Sequence, residues 1–83
     1  MLEPSQCRAA RALLDWTQND LAARTSISAV SIRAFEKGGA MRESNLRLLR
    51  LTFEAAGVVF QREGEMTQGG VGVRLQVSKD RNE

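Results

Sequence analysis

Two helix-start signals stand only eleven residues apart in this chain, at Thr17 and Ser28, and they restrict the fold more than any other feature. Each is a residue whose side-chain oxygen can cap the first turn of a helix. An apolar residue precedes each cap and another follows it four residues later, which is the spacing of a hydrophobic staple. These apolar pairs are Trp16 with Leu21 and Ile27 with Ile32. Two stapled starts this close predict two short helices joined at a fixed angle by a tight turn, a helix-turn-helix.

The length of 83 residues allows one small domain, and a monomeric core of that size is marginal, so oligomerisation would help. The formal net charge is only +2, and it does not by itself indicate a nucleic-acid partner. The cations are ten arginines and two lysines. Arginine is the side chain suited to bidentate contacts with phosphate and guanine, so the composition is compatible with a DNA-binding protein.

The residue types that most catalytic and metal sites need are scarce. The chain has no histidine and a single cysteine, Cys7, so it cannot form an internal disulfide or a Cys/His metal cluster. Cys7 is interpreted as a small buried residue, with a redox-sensing thiol beside Arg8 and Arg11 as the alternative. We expect no enzyme activity, cofactor or metal. With no signal-peptide core and no membrane-length apolar stretch, we expect a cytoplasmic protein without a membrane partner.

Four helices are predicted before Gly57. Pro4 suits a first helical turn, where its missing N–H is not needed, and glycines suit helix ends. The predicted spans are Pro4–Leu14, Gln18–Arg24, Ala29 to about Lys37, and about Ser44 to Ala56. The interior candidates lie on apolar faces or at the turn between helices 2 and 3; they are Cys7, Ala10, Leu14, Leu21, Ala22, Ile27, Ile32 and Phe35.

The pattern changes after Gly57 to short β-like runs. Strands are predicted over Val58–Gln61 and, from its strict alternation, Val71–Val77, with a Gly-rich connection between them. A lone hairpin is marginal in water, so this one must pack on helix 4 or join a partner's strands. Helix 4 also has an apolar arc wider than one neighbour needs. We therefore expect a homodimer formed through helix 4 and the C-terminal strands.

These elements predict a mainly α fold with a small C-terminal β element. The predicted division is residues 1–57 as the helical domain, 58–77 as a β-strand extension packed on helix 4 or on a partner subunit, and 78–83 as a mobile tail.

The segment Gln18–Lys37 resembles the helix-turn-helix of the phage repressor and Cro-like family of bacterial transcription regulators, and the resemblance extends over about residues 6–56. The matching residues are Thr17-Gln18, Leu21-Ala22, Ile27-Ser28, Ile32 and the closing Phe35-Glu36-Lys37-Gly38. Asp15 and Ser26 stand where that family often has glycine. The resemblance implies a lambda-repressor-like domain of four to five helices whose helix 3 lies in the major groove of double-stranded DNA.

The resemblance also implies roles for individual residues. Gln18 would bind a phosphate and brace the recognition helix, while Arg11 and Glu36 would form a partly buried salt bridge. Base edges would be reached by Ala29, Val30, Arg33 and Ala34. The neighbouring Ser28 and Ser31 would touch phosphate or base. For Lys37, as for Arg24 and Arg42, phosphate contact and simple solvation remain equally open.

Two functions follow from this interpretation. The first is a sequence-specific transcriptional regulator, a homodimeric repressor on a two-half-site operator, with Arg33 as the main polar reader of guanine. Because Ala29 and Val30 offer only apolar contacts to thymine methyl groups, part of the specificity would come from DNA shape or from a doubled site. The alternative is an antitoxin or anti-activator that mainly binds another protein, such as a second regulator.

Overall fold

The computed structural model describes residues 1–61 and 72–75 and contains four helices and one small sheet in them. The helices are α1 (Pro4–Leu14), α2 (Gln18–Thr25), α3 (Ala29–Glu36) and α4 (Glu43–Ala55). The strands are β1 (Val58–Gln61) and β2 (Gly72–Leu75), paired antiparallel. The predicted mainly α fold with a C-terminal β element is confirmed. Within these residues, no helix is both long and apolar enough to cross a membrane.

The element ends differ slightly from the prediction. Helix α2 continues to Thr25, α3 ends at Glu36 with Lys37 as its C-cap, and α4 begins at Glu43. Strand β2 covers the whole part of the predicted Val71–Val77 run that the structure describes, Gly72–Leu75. Val71, residues 76–77, the glycines 64, 69 and 70 and the predicted tail 78–83 lie outside the described residues.

Both predicted helix starts are capped. Thr17 Oγ1 accepts a hydrogen bond from the Asp20 N–H at 2.9 Å, and Asp20 Oδ2 accepts one from the Thr17 N–H at 2.9 Å. Aspartate therefore completes a capping box in which glutamate or glutamine is more usual. Hydrogen bonding of the Asp20 carboxyl, first with the Thr17 backbone N–H and then with the Thr17 side chain, holds the pKa of that carboxyl below its usual value. At the second start, Ser28 Oγ accepts from the Ser31 N–H at 3.1 Å.

The connections before α2 and α3 use left-handed backbone at residues other than glycine. Asp15 has φ 59° and Ser26 has φ 65°, and these are the two positions at which the resembling family often has glycine. Aspartate accepts this conformation more readily than most residues because its short polar side chain can bond locally. Both turns are therefore formed at some conformational cost.

The core is formed by buried side chains from all four helices and by Val58 of β1. Leu21, Ile32 and Phe53 are fully buried, and Trp16 packs against them from the start of α2. The Trp16 and Phe53 rings are stacked with centroids 5.9 Å apart, and Phe53 meets Phe60 of β1 edge-on at 6.0 Å. Of the predicted interior, Leu14 and Ala22 are partly buried at the edge of the core.

The hairpin packs on α1 as well as on α4. Strand β1 contacts both helices and β2 contacts α1. The buried Gln6 amide of α1 donates to the backbone oxygens of Gln61 and Gly72, at 3.3 and 3.4 Å, which face each other across the two strands. Gln6 therefore fixes to α1 the end of the hairpin nearest the connection between its strands, a contact that the sequence pattern did not indicate.

Candidate nucleic-acid interface

Helix α3 has one buried face and one exposed face. Ile32, Phe35 and Glu36 point into the domain. The opposite face repeats at helical spacing and carries Val30, Arg33, Ala34 and Lys37, all exposed. An α-helix with its side chains is about 10–12 Å across, so it fits a major groove about 12 Å wide.

Val30 is 70% exposed, an unusual position for a β-branched apolar side chain on a small domain. Arg33 follows it by three residues on the same face. An exposed methyl group next to a guanidinium gives this surface one apolar and one strongly hydrogen-bonding element. Those are the two chemical types that distinguish thymine from guanine in the major groove.

Three further predicted contact residues stand at the start of α3. Ser28 and Ser31 are exposed, and their hydroxyl oxygens lie 3.0 Å apart in a hydrogen bond. Ala29 is partly buried beside them. The first turn of α3 thus presents hydroxyl groups next to Val30, at the end of the helix whose partial positive charge attracts phosphate.

The last residue of α3 is the centre of a buried polar cluster. The Glu36 carboxylate accepts two hydrogen bonds from Arg11, each at 2.8 Å, so the pair is bidentate. It also accepts from Gln18 Nε2 at 3.0 Å and from the Cys7 thiol at 3.1 Å. Arg8 Nη1 donates to the Glu36 backbone oxygen, and Arg11 Nη1 donates to the Trp16 backbone oxygen at 3.1 Å. The cluster joins α1, α2 and α3.

The charge of Glu36 is compensated inside the fold. Burial, the largest influence, raises the pKa of the Glu36 carboxyl. The hydrogen bonds from Arg11, Cys7 and Gln18 more than offset it, so that this pKa lies below its usual value. The same contact, a hydrogen bond to Glu36, raises the pKa of the Arg11 guanidinium. Both groups are therefore ionised at neutral pH, and the buried carboxylate has a partner for each oxygen.

Gln18 lies where it can serve two partners. A primary amide nitrogen carries two hydrogens, so Gln18 can donate to Glu36 and to an external acceptor at once. Because Glu36 is the last residue of α3, its bond with Gln18 fixes the orientation of the Gln18 side chain relative to that helix.

Cys7 is a buried structural thiol. It is fully inaccessible, and its sulfur donates to Glu36 Oε2. Burial, reinforced by the hydrogen bond to Glu36 and by its charge, raises the pKa of the thiol well above its ordinary value. The neighbouring Arg8 and Arg11 bond Glu36. The alternative of an accessible redox thiol is therefore not supported.

Arg24 occupies a place that the sequence did not predict. Its guanidinium lies 4.1 Å from the centroid of the Trp16 ring, a cation–π contact. From the sequence, a phosphate contact and simple solvation of Arg24 were both open. No local signal shows that an arginine in the last turn of α2 contacts Trp16, the residue before the N-cap of that helix.

A comparison of the sequence with known protein families agrees with this arrangement of helices. The model of the helix-turn-helix family matches residues 8–53, which is more than half of the chain. The chain belongs to the Cro/C1-type helix-turn-helix family. A helix-turn-helix protein of this type is a DNA-binding regulator. No curated protein gives a significant match.

The family match includes the Glu36 cluster and the exposed face of α3. It begins at Arg8 and ends at Phe53, so the hairpin lies beyond it. Within this helix-turn-helix protein, Arg11, Gln18 and Glu36 are brought together. Of the residues predicted to contact bases, Val30, Arg33 and Ala34 share an exposed face, and Ala29 is partly buried. The sequence missed Cys7 and Arg8 as cluster members, although Cys7 stands four residues before Arg11 on one face of α1.

Proposed function

We propose that this helix-turn-helix protein is a homodimeric, sequence-specific repressor that places α3 of each subunit in the major groove of one operator half-site. The observation that supports the proposal is the exposed face of α3, which carries Val30, Arg33, Ala34 and Lys37 opposite a fully packed inner face. In this proposal residues 1–57 bind DNA and α4 carries the dimer contact, while β1 packs on α4 within the same subunit. Occupation of the operator would block polymerase.

Base reading would depend on few side chains. Arg33 would donate to O6 and N7 of a guanine, and Val30, with Ala29 and Ala34 near it, would contact thymine methyl groups. Gln18, Ser28, Ser31 and Lys37 would hold phosphates and set the register of the helix in the groove. One strong hydrogen-bonding side chain per subunit gives only a small difference in binding free energy between the operator and random DNA. A dimer that contacts two half-sites doubles this difference.

The first test is selection of binding sites from random duplexes, followed by titration of the selected duplex at several salt concentrations. Arg33→Ala should weaken binding to the selected site by about 1–3 kcal/mol and relax preference at one base pair of each half-site. The matched control is Lys37→Ala. It should weaken selected and random duplexes alike and make the salt slope shallower by about one for each phosphate that Lys37 neutralises.

The outcomes separate this function from a protein-binding one. If the unmodified protein binds no selected duplex more tightly than random sequence, the repressor proposal is wrong and an antitoxin or anti-activator remains. If selection yields a site but Arg33→Ala leaves its base preference unchanged, the assignment of Arg33 as the reader is wrong.

A further inference from the structure

The outer face of α4 has a pattern that fits a second copy of itself. Ser44, Leu48, Leu51 and Ala55 lie within an arc of about 60°, diametrically opposite the buried Leu46, Leu49 and Phe53. All four are exposed, with Leu51 at 56% and Leu48 at 39%. Two exposed leucines on one stripe of a helix indicate a surface that another molecule covers in the functional assembly.

The spacing of this face reads the same in both directions. Its members are four, three and four residues apart, with small residues at the ends and leucines in the middle. If two α4 helices pack antiparallel about a two-fold axis, Leu48 of one meets Leu51 of the other, and Ser44 meets Ala55. A two-fold interface requires this kind of self-complementary surface, because each contact occurs twice.

The charges beside the stripe are also complementary in that arrangement. Arg47 and Glu54 lie on the same flank of α4, seven residues apart. A two-fold axis keeps like flanks together in an antiparallel pair, so Arg47 of each copy comes next to Glu54 of the other. The opposite flank carries the uncharged Asn45 and Thr52, which would meet in the same way. A parallel pairing would instead place the charged flank of one copy beside the uncharged flank of the other, so neither charge would meet its opposite.

Present contacts leave these two side chains available. Arg47 is exposed, and among the described residues its ion pair is a 3.4 Å contact with Glu43. Glu54 uses one carboxylate oxygen on Arg50, at 2.9 Å. Arg50 is also turned toward the hairpin, with its guanidinium 5.4 Å from the centroid of the Phe60 ring. Arg47 and the second carboxylate oxygen of Glu54 can therefore form contacts with the α4 helix of another copy.

We propose that the homodimer forms through an antiparallel α4–α4 seam in which Leu48 packs on Leu51 and Arg47 pairs with Glu54 of the other subunit. This inference rests on the proposed homodimer and assigns its interface to α4. The hairpin lies outside that interface. Because a single helix pair buries less than a standard interface, the free dimer is weak, and operator binding adds the remaining stability.

The test is sedimentation equilibrium of the full chain without DNA, for the wild type, Arg47→Glu, Glu54→Arg and their equimolar mixture. Each variant alone places two like-charge pairs in the seam and should raise the dimer dissociation constant at least tenfold. In the mixture, both pairs of the heterodimer become attractive, so the dimer should return to within about threefold of the wild type. Leu51→Glu should give monomer alone and in every mixture.

The control is Arg74→Glu, which reverses an exposed charge on the hairpin and should leave the dissociation constant unchanged. Circular dichroism of each variant checks that α4 stays helical. The seam is overturned by a wild type that is monomeric at all concentrations, by a mixture that fails to recover, or by loss of the dimer in Arg74→Glu alone. Because DNA is absent, these results do not depend on the reading role of Arg33, and a monomer that still binds a half-site would refute the seam only.

Discussion

Replacing Glu36 by glutamine should destabilise the fold strongly, although the two side chains have nearly the same shape. The Glu36 side chain is 3% exposed and its partner Arg11 is 19% exposed. The carboxylate offers acceptors to four donor contacts from Arg11, Cys7 and Gln18. An amide has one oxygen and one NH2 group, so whichever way it turns, its nitrogen faces an Arg11 N–H and a second donor.

The magnitude follows from these contacts. Breaking a buried ion pair on one side costs about 3–5 kcal/mol, because the remaining charge loses its partner. Arg11 keeps some access to water, so we expect the low end, about 3 kcal/mol. A chain of this length has a total stability of about 4–12 kcal/mol at about 0.05–0.15 kcal/mol per residue, so this is a large share. The melting temperature should fall by about 12–24 °C.

The assay is urea unfolding followed by the fluorescence of Trp16, the single tryptophan, whose ring stacks on buried Phe53. The matched control is Glu43→Gln, which removes the same charge from an ion pair with Arg47 whose side chains are 71% and 66% exposed. It should change the free energy of unfolding by less than about 0.5 kcal/mol. Equal losses in the two variants would refute the argument from burial and bonding.

The same pair of proteins gives a pH test. The pKa of Glu36 is lowered by folding, so its stabilising contribution is present above the pKa of about 4.3 in an unfolded chain. This contribution to stability is lost as the pH falls through the lower pKa that Glu36 has in the folded state. The difference in unfolding free energy between wild type and Glu36→Gln should therefore be constant near neutrality and shrink on acidification below about pH 4.3. A difference independent of pH would show that charge is not the cause.

Two further changes test the turns and the thiol. Ser26→Gly should stabilise the protein by about 0.5–1 kcal/mol in the same urea assay, because glycine adopts the left-handed backbone at φ 65° without steric cost. Part of that gain is lost because glycine has a greater conformational entropy in the unfolded chain. The control Ser26→Ala keeps the Cβ, and an equal gain in that variant would contradict this reason. Cys7 should react with a thiol-specific disulfide reagent only as fast as the domain opens, since the sulfur is inaccessible and its pKa is raised by burial and by Glu36; rapid stoichiometric labelling of the native protein would contradict this.

The local parts of this fold could be predicted from the sequence because their signals are local. A cap and its staple lie within six residues, so the starts of α2 and α3 followed directly from Thr17 and Ser28. The left-handed conformation at Asp15 stands at a position where the resembling family often has glycine, which is also a local signal. The excess apolar surface of α4 was also visible as a pattern, and Leu48 and Leu51 are its exposed members.

The contacts between distant elements could not be predicted in this way. The pair of Arg11 and Glu36 came only from the family resemblance, since no periodicity links residues 25 positions apart. The bonds of Gln6 to the hairpin and the stacking of Arg24 on Trp16 depend on how the helices are packed, which is decided by the core. Long polar side chains reach several neighbours, and the sequence does not select among them.

Because α3 is short, its part in the polar cluster and its proposed contact with DNA depend on each other. Its eight residues supply both the buried Glu36 of the cluster and the exposed face that we propose reads DNA, and Arg33 precedes Glu36 by three residues. A shift of Glu36 within the cluster therefore changes the direction of Arg33 by a comparable amount. Glu36→Gln should accordingly reduce the preference for the selected operator over random duplex even at temperatures where the variant is fully folded. A phosphate contact tolerates such a shift better than bidentate guanine recognition does, so non-specific affinity should change less.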